Sequence, residues 1–409
     1  MNLLLAALIA GVGPYPLSPP DTAGRFDAPP VLTWKVPLSG PGSRHAAAAE
    51  TSAPVLVGDR IYVGASSEDA LLVLDRRDGR EIMRLPALAP VRTAPLVLSD
   101  RVIFADGGGG YWCYPLTGGA PIWRHEMGVP VLANPVLHND RLFIANLGNT
   151  IASIQVSSGE VVWFTKHVLD ASRDELALFA SPQPVVHKEL VYFGFSDGAV
   201  AAYSIDKGEL VWQRVVGEGS YPDIAAPILI LGDDAVVAGF NEPIIGLDLR
   251  SGAVRWRLDQ GLSAAPIDGG GLGDAPDGQF RPDVAERYVY LPGNDGVLRC
   301  LDALSGVVRW EFDTQTESAL VRPVPSEAGL VIASTGGGLF LLDPVTGAER
   351  WRWEPGYLVS GISAPPAIEG RQMVVVTNVG DIASFVVPRP EPAQVDRSGP
   401  ASWLGPVTR

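Results

Sequence analysis

With only two cysteines in 409 residues, Cys113 and Cys300, the chain has no disulfide framework. The two stand in widely separated periods of the repeat described below, and a bridge needs Cα atoms within about 7 Å, so both are expected to be buried free thiols. Cations are scarce as well: 31 Lys and Arg against 46 Asp and Glu leave a net charge of −15 and a pI near 4.8. No basic run is present to release counterions, which argues against nucleic acid or anionic lipid as a partner. No apolar stretch reaches the roughly 18 residues that span a bilayer as a helix. The five histidines, His45, His125, His138, His167 and His187, show no metal-ligand spacing and are expected at the surface or in turns. Gly107 to Gly110 has the glycine content of a phosphate-cradling loop, but no Lys-Ser/Thr and no helix follow it, so a strand connection is expected.

What is abundant is turn chemistry. The 46 Gly and 36 Pro, with 46% hydrophobic and 19% charged residues, describe a folded, turn-rich β protein. A chain of this length either divides into domains or repeats one unit. This one repeats.

Seven segments share the pattern Leu-Asp-x-x-Ser/Thr/Asp-Gly or a variant of it, ending at Gly79, Gly119, Gly159, Gly208, Gly252, Gly306 and Gly347. Four residues after each Gly stands a large side chain: Met83, Trp123, Trp163, Trp212, Trp256, Trp310 and Trp351. Ahead of each segment a Pro marks a strand entry, at Pro54, Pro95, Pro135, Pro184, Pro227, Pro266 and Pro323, with an eighth at Pro366. The Pro-to-Gly interval is 24 or 25 residues in six periods and 40 in the sixth, which therefore carries an insertion. Short apolar runs such as Arg60 to Gly64, Arg101 to Ala105 and Leu190 to Gly194 fill the space between, separated by tight-turn pairs. That order is strand, turn, strand, turn, strand, then the Asp-x-x-Ser/Thr-Gly turn and a Trp-bearing outer strand. Each period is a four-stranded blade, in which Gly supplies positive φ, Asp caps its own turn, and Trp buries its ring against the next blade.

The eighth period, from Pro366 to Val387, lacks its Trp strand, while Val31 to Val36, containing Trp34, is a Trp strand without a blade. Pairing the two closes an eight-bladed, all-β propeller and removes the open sheet edges. The propeller is expected over residues 25–392, with a loose tail over 393–409. Residues 1–24 read as a signal peptide and Pro-rich leader: Leu3 to Val12 is an apolar run of ten, too short to span a bilayer, and Gly11 and Gly13 are the best small pair for cleavage. Export to the periplasm or cell envelope is the expectation, although no Lys or Arg precedes the apolar run.

The Leu-x-Asp-x-x-Ser/Thr-Gly-x-x-x-Trp pattern resembles the PQQ-like propeller repeat over nearly the whole mature chain. That family has a dehydrogenase branch and a non-enzymatic branch similar to BamB, the assembly factor that binds BamA. The connection from Trp163 to Pro184, 21 residues long, contains Ser172-x-x-Glu175, a capping box, then Leu176-Ala-Leu178-Phe179. In BamB-like proteins the corresponding loop carries Leu-x-Leu-Arg and contacts BamA. The resemblance implies that Leu176 and Leu178 serve the same end here, with Phe179 in place of the Arg. It also implies an acidic pair before blade five, of which Asp223 remains, and a lipid anchor, which is not expected because no Cys follows the apolar run. On the residues alone, Leu176, Leu178 and Phe179 serve equally to pack a short helix on the propeller rim or to meet a partner.

A quinoprotein dehydrogenase would need clustered Ca²⁺ ligands, a catalytic Asp and, in the alcohol-oxidising family, adjacent cysteines; the single Cys113 and Cys300 do not supply the last. No catalytic, cofactor-binding or metal-binding residues are assigned. The blade-six insertion, Asp268 to Glu286, carries Asp274, Asp277 and Asp283 at a spacing that matches no standard Ca²⁺ loop, and a solvated excursion is expected. The reading is a non-enzymatic envelope scaffold that binds protein partners, such as a BamA-like outer-membrane assembly protein. The alternatives are a PQQ-dependent oxidoreductase, or a secreted propeller that binds a glycan or other ligand in its central channel.

Overall fold

The computed structural model describes residues 29–38, 50–131, 133–168, 182–217, 222–224, 226–239, 243–258, 267–270, 288–302, 305–316, 318–354 and 360–387. Over these residues the chain forms eight four-stranded antiparallel sheets and no helix. Blade one shows the plan, with strands Val55–Val57, Arg60–Ala65, Ala70–Asp75 and Glu81–Pro86 paired in chain order. The first strands of neighbouring blades touch one another, so they line the centre of the ring. The second and third strands are almost wholly buried, because each is covered on both faces by the adjoining blades.

The turn before each outer strand is built as its residues dictate. Gly79 lies at φ 73°, its N–H donates to the Asp75 carbonyl at 2.8 Å, and the Asp75 carboxylate accepts from Arg77 N at 2.8 Å. The carboxylates of Asp248, Asp302 and Asp343 accept in the same way from Ser251, Ser305 and Thr346. A β-bulge follows at one fixed place in the ladder, between Val73 and Leu74 in blade one and between Ser153 and Ile154 in blade three.

Closure is made by the strand Val31–Pro37, which pairs antiparallel with Asp381–Val386 and puts Trp34 opposite Ser384. Lys35 and Asp381 add an ion pair at 2.8 Å, and Leu38 N donates to the Gly380 carbonyl at 2.7 Å. The eight-bladed propeller is thus completed by its N-terminal strand, as the two half-blades in the sequence imply.

Successive blades lock through the outer-strand tryptophans. The rings of Trp34, Trp123, Trp163, Trp212, Trp256 and Trp310 lie over the turn glycines of the next blade, Gly79, Gly159, Gly208, Gly252, Gly306 and Gly347, within 2.9 Å of where a β-carbon would stand. Met83 takes the same position over Gly118. The indole N–H of Trp123, Trp163 and Trp212 also donates across the blade boundary, to the carbonyls of Val156, Ile205 and Leu249 at 2.8, 2.8 and 3.0 Å. Trp310 has no such bond among the described residues, and the equivalent carbonyl, Pro344, accepts from the Tyr290 hydroxyl at 2.9 Å instead.

Candidate functional site

Each strand crosses the ring, so the turns between second and third strands share one face with the connections from blade to blade. On that face the turn Phe195 to Gly198 of blade four binds segments of three blades. His167, which leaves the outer strand of blade three, stacks on Phe195 with ring centroids 3.9 Å apart and an interplanar angle of 14°. Its Nε2 hydrogen-bonds Asp197 Oδ2 at 2.9 Å, and both side chains are 3% exposed. The His167 N–H donates to the Asn149 carbonyl at 2.9 Å, and the Asn149 amide donates to Ser196 Oγ at 3.2 Å. From the other side Ile224 N donates to the Phe195 carbonyl at 3.1 Å. Gly198 and Gly217 meet so closely that a β-carbon on Gly198 would lie 2.8 Å from Gly217 Cα, and φ at Gly198 is +79°.

This collar holds the leading end of the long connection singled out above through His167. Pro182, at the trailing end, lies beside the neighbouring Gly194, its ring 3.2 Å from where a β-carbon there would stand. Leu176, Leu178 and Phe179 lie between them, outside the described residues. Asp223 is placed beside the collar and is fully buried, next in sequence to the Ile224 that bonds Phe195.

The expectation that the histidines lie at the surface or in turns is overturned at His167. Burial of its ring is tolerated because Asp197 satisfies Nε2 and Phe195 covers the ring face. Nothing local announces this pair, since His167 and Asp197 are 30 positions apart on different blades; only the shared turn geometry brings them together. His125, His138 and His187 are partly buried, and His45 lies outside the described residues.

A second buried polar group lies on the same face. Glu50, 2% exposed, accepts from Ser66 N at 2.8 Å, and desolvation pushes its carboxyl above the ordinary range despite that bond. Cys113 and Cys300 are free and buried, as expected, and burial pushes the thiols up to about 11 and about 12. The Gly107 to Gly110 segment is a strand connection whose backbone is held by Asp106: its carboxylate accepts from Gly108 N, Gly110 N and Trp112 Nε1 at 3.0, 2.9 and 2.7 Å. Among the described residues no three His, Cys, Asp or Glu side chains gather as a metal site. Asp274, Asp277 and Asp283 lie outside the described residues. They interrupt blade six between Ile267–Gly270 and Tyr288–Pro292.

Eight four-stranded blades, six of whose boundaries carry a Trp-on-Gly contact at a fixed repeat position, define a β-propeller of the PQQ-like repeat class. Within that class the chain belongs to the family described as outer membrane protein assembly factor BamB, whose model matches residues 25–117, 99–272 and 294–388. It is 20% identical over 335 residues to the outer membrane protein assembly factor BamB of Shewanella oneidensis, covering 81% of this chain and 69% of that one. In fold it is similar to BamB from Moraxella catarrhalis, with a TM-score of 0.68 at 15% identity over 87% of this chain and 99% of that one. It is also similar to the quinohemoprotein alcohol dehydrogenase from Comamonas testosteroni, with a TM-score of 0.64 at 14% identity over 89% of this chain and 78% of that one. At these identities the solved structures speak to the fold alone.

Proposed function

We propose that the protein is a non-enzymatic scaffold of the cell envelope, exported to the periplasm, with a BamB-like role in outer-membrane protein assembly. Family membership supports the role. The observation that carries the site is the collar at Phe195 to Gly198, which anchors the leading end of the connection bearing Leu176, Leu178 and Phe179 through His167. A rigid end lowers the entropy that a loop loses on binding, so a loop held in this way is suited to present apolar side chains to a protein partner. Asp223, fully buried next to Ile224, is the remaining residue of the acidic pair that the resemblance assigns to the same partner.

The test is affinity capture of the mature protein from envelope extract, with and without Leu176→Asp and Leu178→Asp. Loss of a BamA-like partner from the doubly substituted protein is expected. An unchanged set of partners overturns the assignment of the loop. Reconstitution with PQQ and Ca²⁺ tests the enzymatic alternative, and the appearance of quinone absorbance with dye-linked alcohol oxidation overturns the non-enzymatic reading.

A further inference from the structure

Outer strands of propeller blades are sheet edges, and here they are guarded by charged or polar side chains. The residue after the outer-strand Trp or Met is Arg84, Arg124, Gln213, Arg257, Glu311 and Arg352 in six blades and Lys35 in the closing strand. In blade three it is Phe164, 70% exposed. Val162, 41% exposed, joins it along an open groove of about 660 Å³ between the rims of blades two and three, which His125 and Met127 line from the other side. The strand Val161–Lys166 is the last in its sheet, so its outer edge has no strand beside it. Charges of opposite sign stand at the ends of this segment, Glu160 before it and Lys166 at its close, and neither has an ion-pair partner among the described residues.

We propose that the blade-three rim is a self-association surface, on which a second copy of this chain lies antiparallel across the strand Val161–Lys166. A two-fold axis between the two strands, level with Trp163, places Glu160 of each copy opposite Lys166 of the other and brings each Phe164 toward the groove beside Val162 of its partner. An identical strand therefore brings Glu160 and Lys166 of the two copies into ion pairs and covers both exposed apolar side chains at once. The recurring bulge between Ser153 and Ile154 disturbs the ladder at the start of this strand, so side-chain packing and the paired charges, rather than a continued sheet, hold the two copies. With a net charge of −15 on each copy, association strengthens as salt screens the long-range repulsion, until the Glu160 and Lys166 pairs are screened in turn. This surface is separate from the collar on blade four, and its failure leaves the proposed function standing.

Sedimentation velocity of the full chain between about 1 μM and 1 mM reads the association directly. A concentration-dependent dimer is expected. Phe164→Arg, which installs the residue blade two carries at this position, lowers the association constant more than about tenfold with an unchanged melting temperature. Lys166→Glu and Glu160→Lys each weaken the dimer, and the double swap restores it. A wild type that stays monomeric across the range overturns the proposal, including where another envelope protein occupies the edge. So does a dimer indifferent to Phe164→Arg or a charge swap without recovery.

Discussion

The indole ring of Trp163 occupies the space that a side chain on Gly208 would need. A β-carbon there would stand 2.5 Å from the ring, and the same indole N–H reaches the Ile205 carbonyl of that turn at 2.8 Å. Gly208 is therefore required twice, once for φ +68° and once for the space, and Gly79, Gly159, Gly252, Gly306 and Gly347 repeat the requirement at their own blade boundaries.

Gly208→Ala should destabilise the propeller by about 2–4 kcal/mol, the sum of left-handed strain and overpacking. Gly58→Ala provides the control, because φ is +60° there but nothing lies within 4 Å of the added carbon, so about 1 kcal/mol is expected. Denaturant unfolding measures both, and equal losses would show that the Trp contact adds nothing.

Glu50 should make stability fall as pH rises. Its folded pKa is raised by desolvation, so the folded state holds the proton to higher pH than the unfolded chain does. The contribution is full below the unfolded value of about 4.3 and is lost as pH climbs through the raised folded value. Glu50→Gln keeps an acceptor for Ser66 N and should flatten this slope while stabilising the protein at pH 7, as read from melting temperatures across pH 4 to 8.

Cys113 and Cys300 should resist an aromatic disulfide reagent at pH 8, because burial excludes the reagent and holds the thiols protonated, at about 11 and about 12. Two thiols should titrate after unfolding, and rapid labelling of the native protein would contradict the burial.

Removing Asp197 leaves the His167 ring buried without its partner. Asp197→Ala should cost about 3 kcal/mol and weaken partner capture, whereas Asp197→Asn, which retains an acceptor for His167, should cost less in both assays. Capture that is insensitive to both substitutions would separate the collar from the loop it holds.

Much of this architecture was legible in the chain. Blade number, strand order and the Asp-capped turn were readable because each depends on residues within a few positions of one another, and repetition multiplies a weak local signal; closure by Trp34 was readable because each end of the chain lacks the strand that the other supplies. Sequence marked the connection containing Leu176, Leu178 and Phe179 by its departure from the repeat length and its likeness to the Leu-x-Leu-Arg loop; what holds its leading end was not visible.

What the sequence determined by itself was the repeating unit: turns, short strands and a Trp at one fixed place, all set by short-range backbone chemistry. The tertiary structure alone decided what meets across blades. His167 becomes a buried anchor because Asp197 and Phe195 arrive from the next blade. Glu50 becomes a desolvated acid beside Ser66, and Phe164 becomes an exposed aromatic on an otherwise guarded rim. Burial and exposure are properties of the closed ring, since a polar side chain is tolerated inside, or an apolar one left outside, only according to which distant segment lies against it.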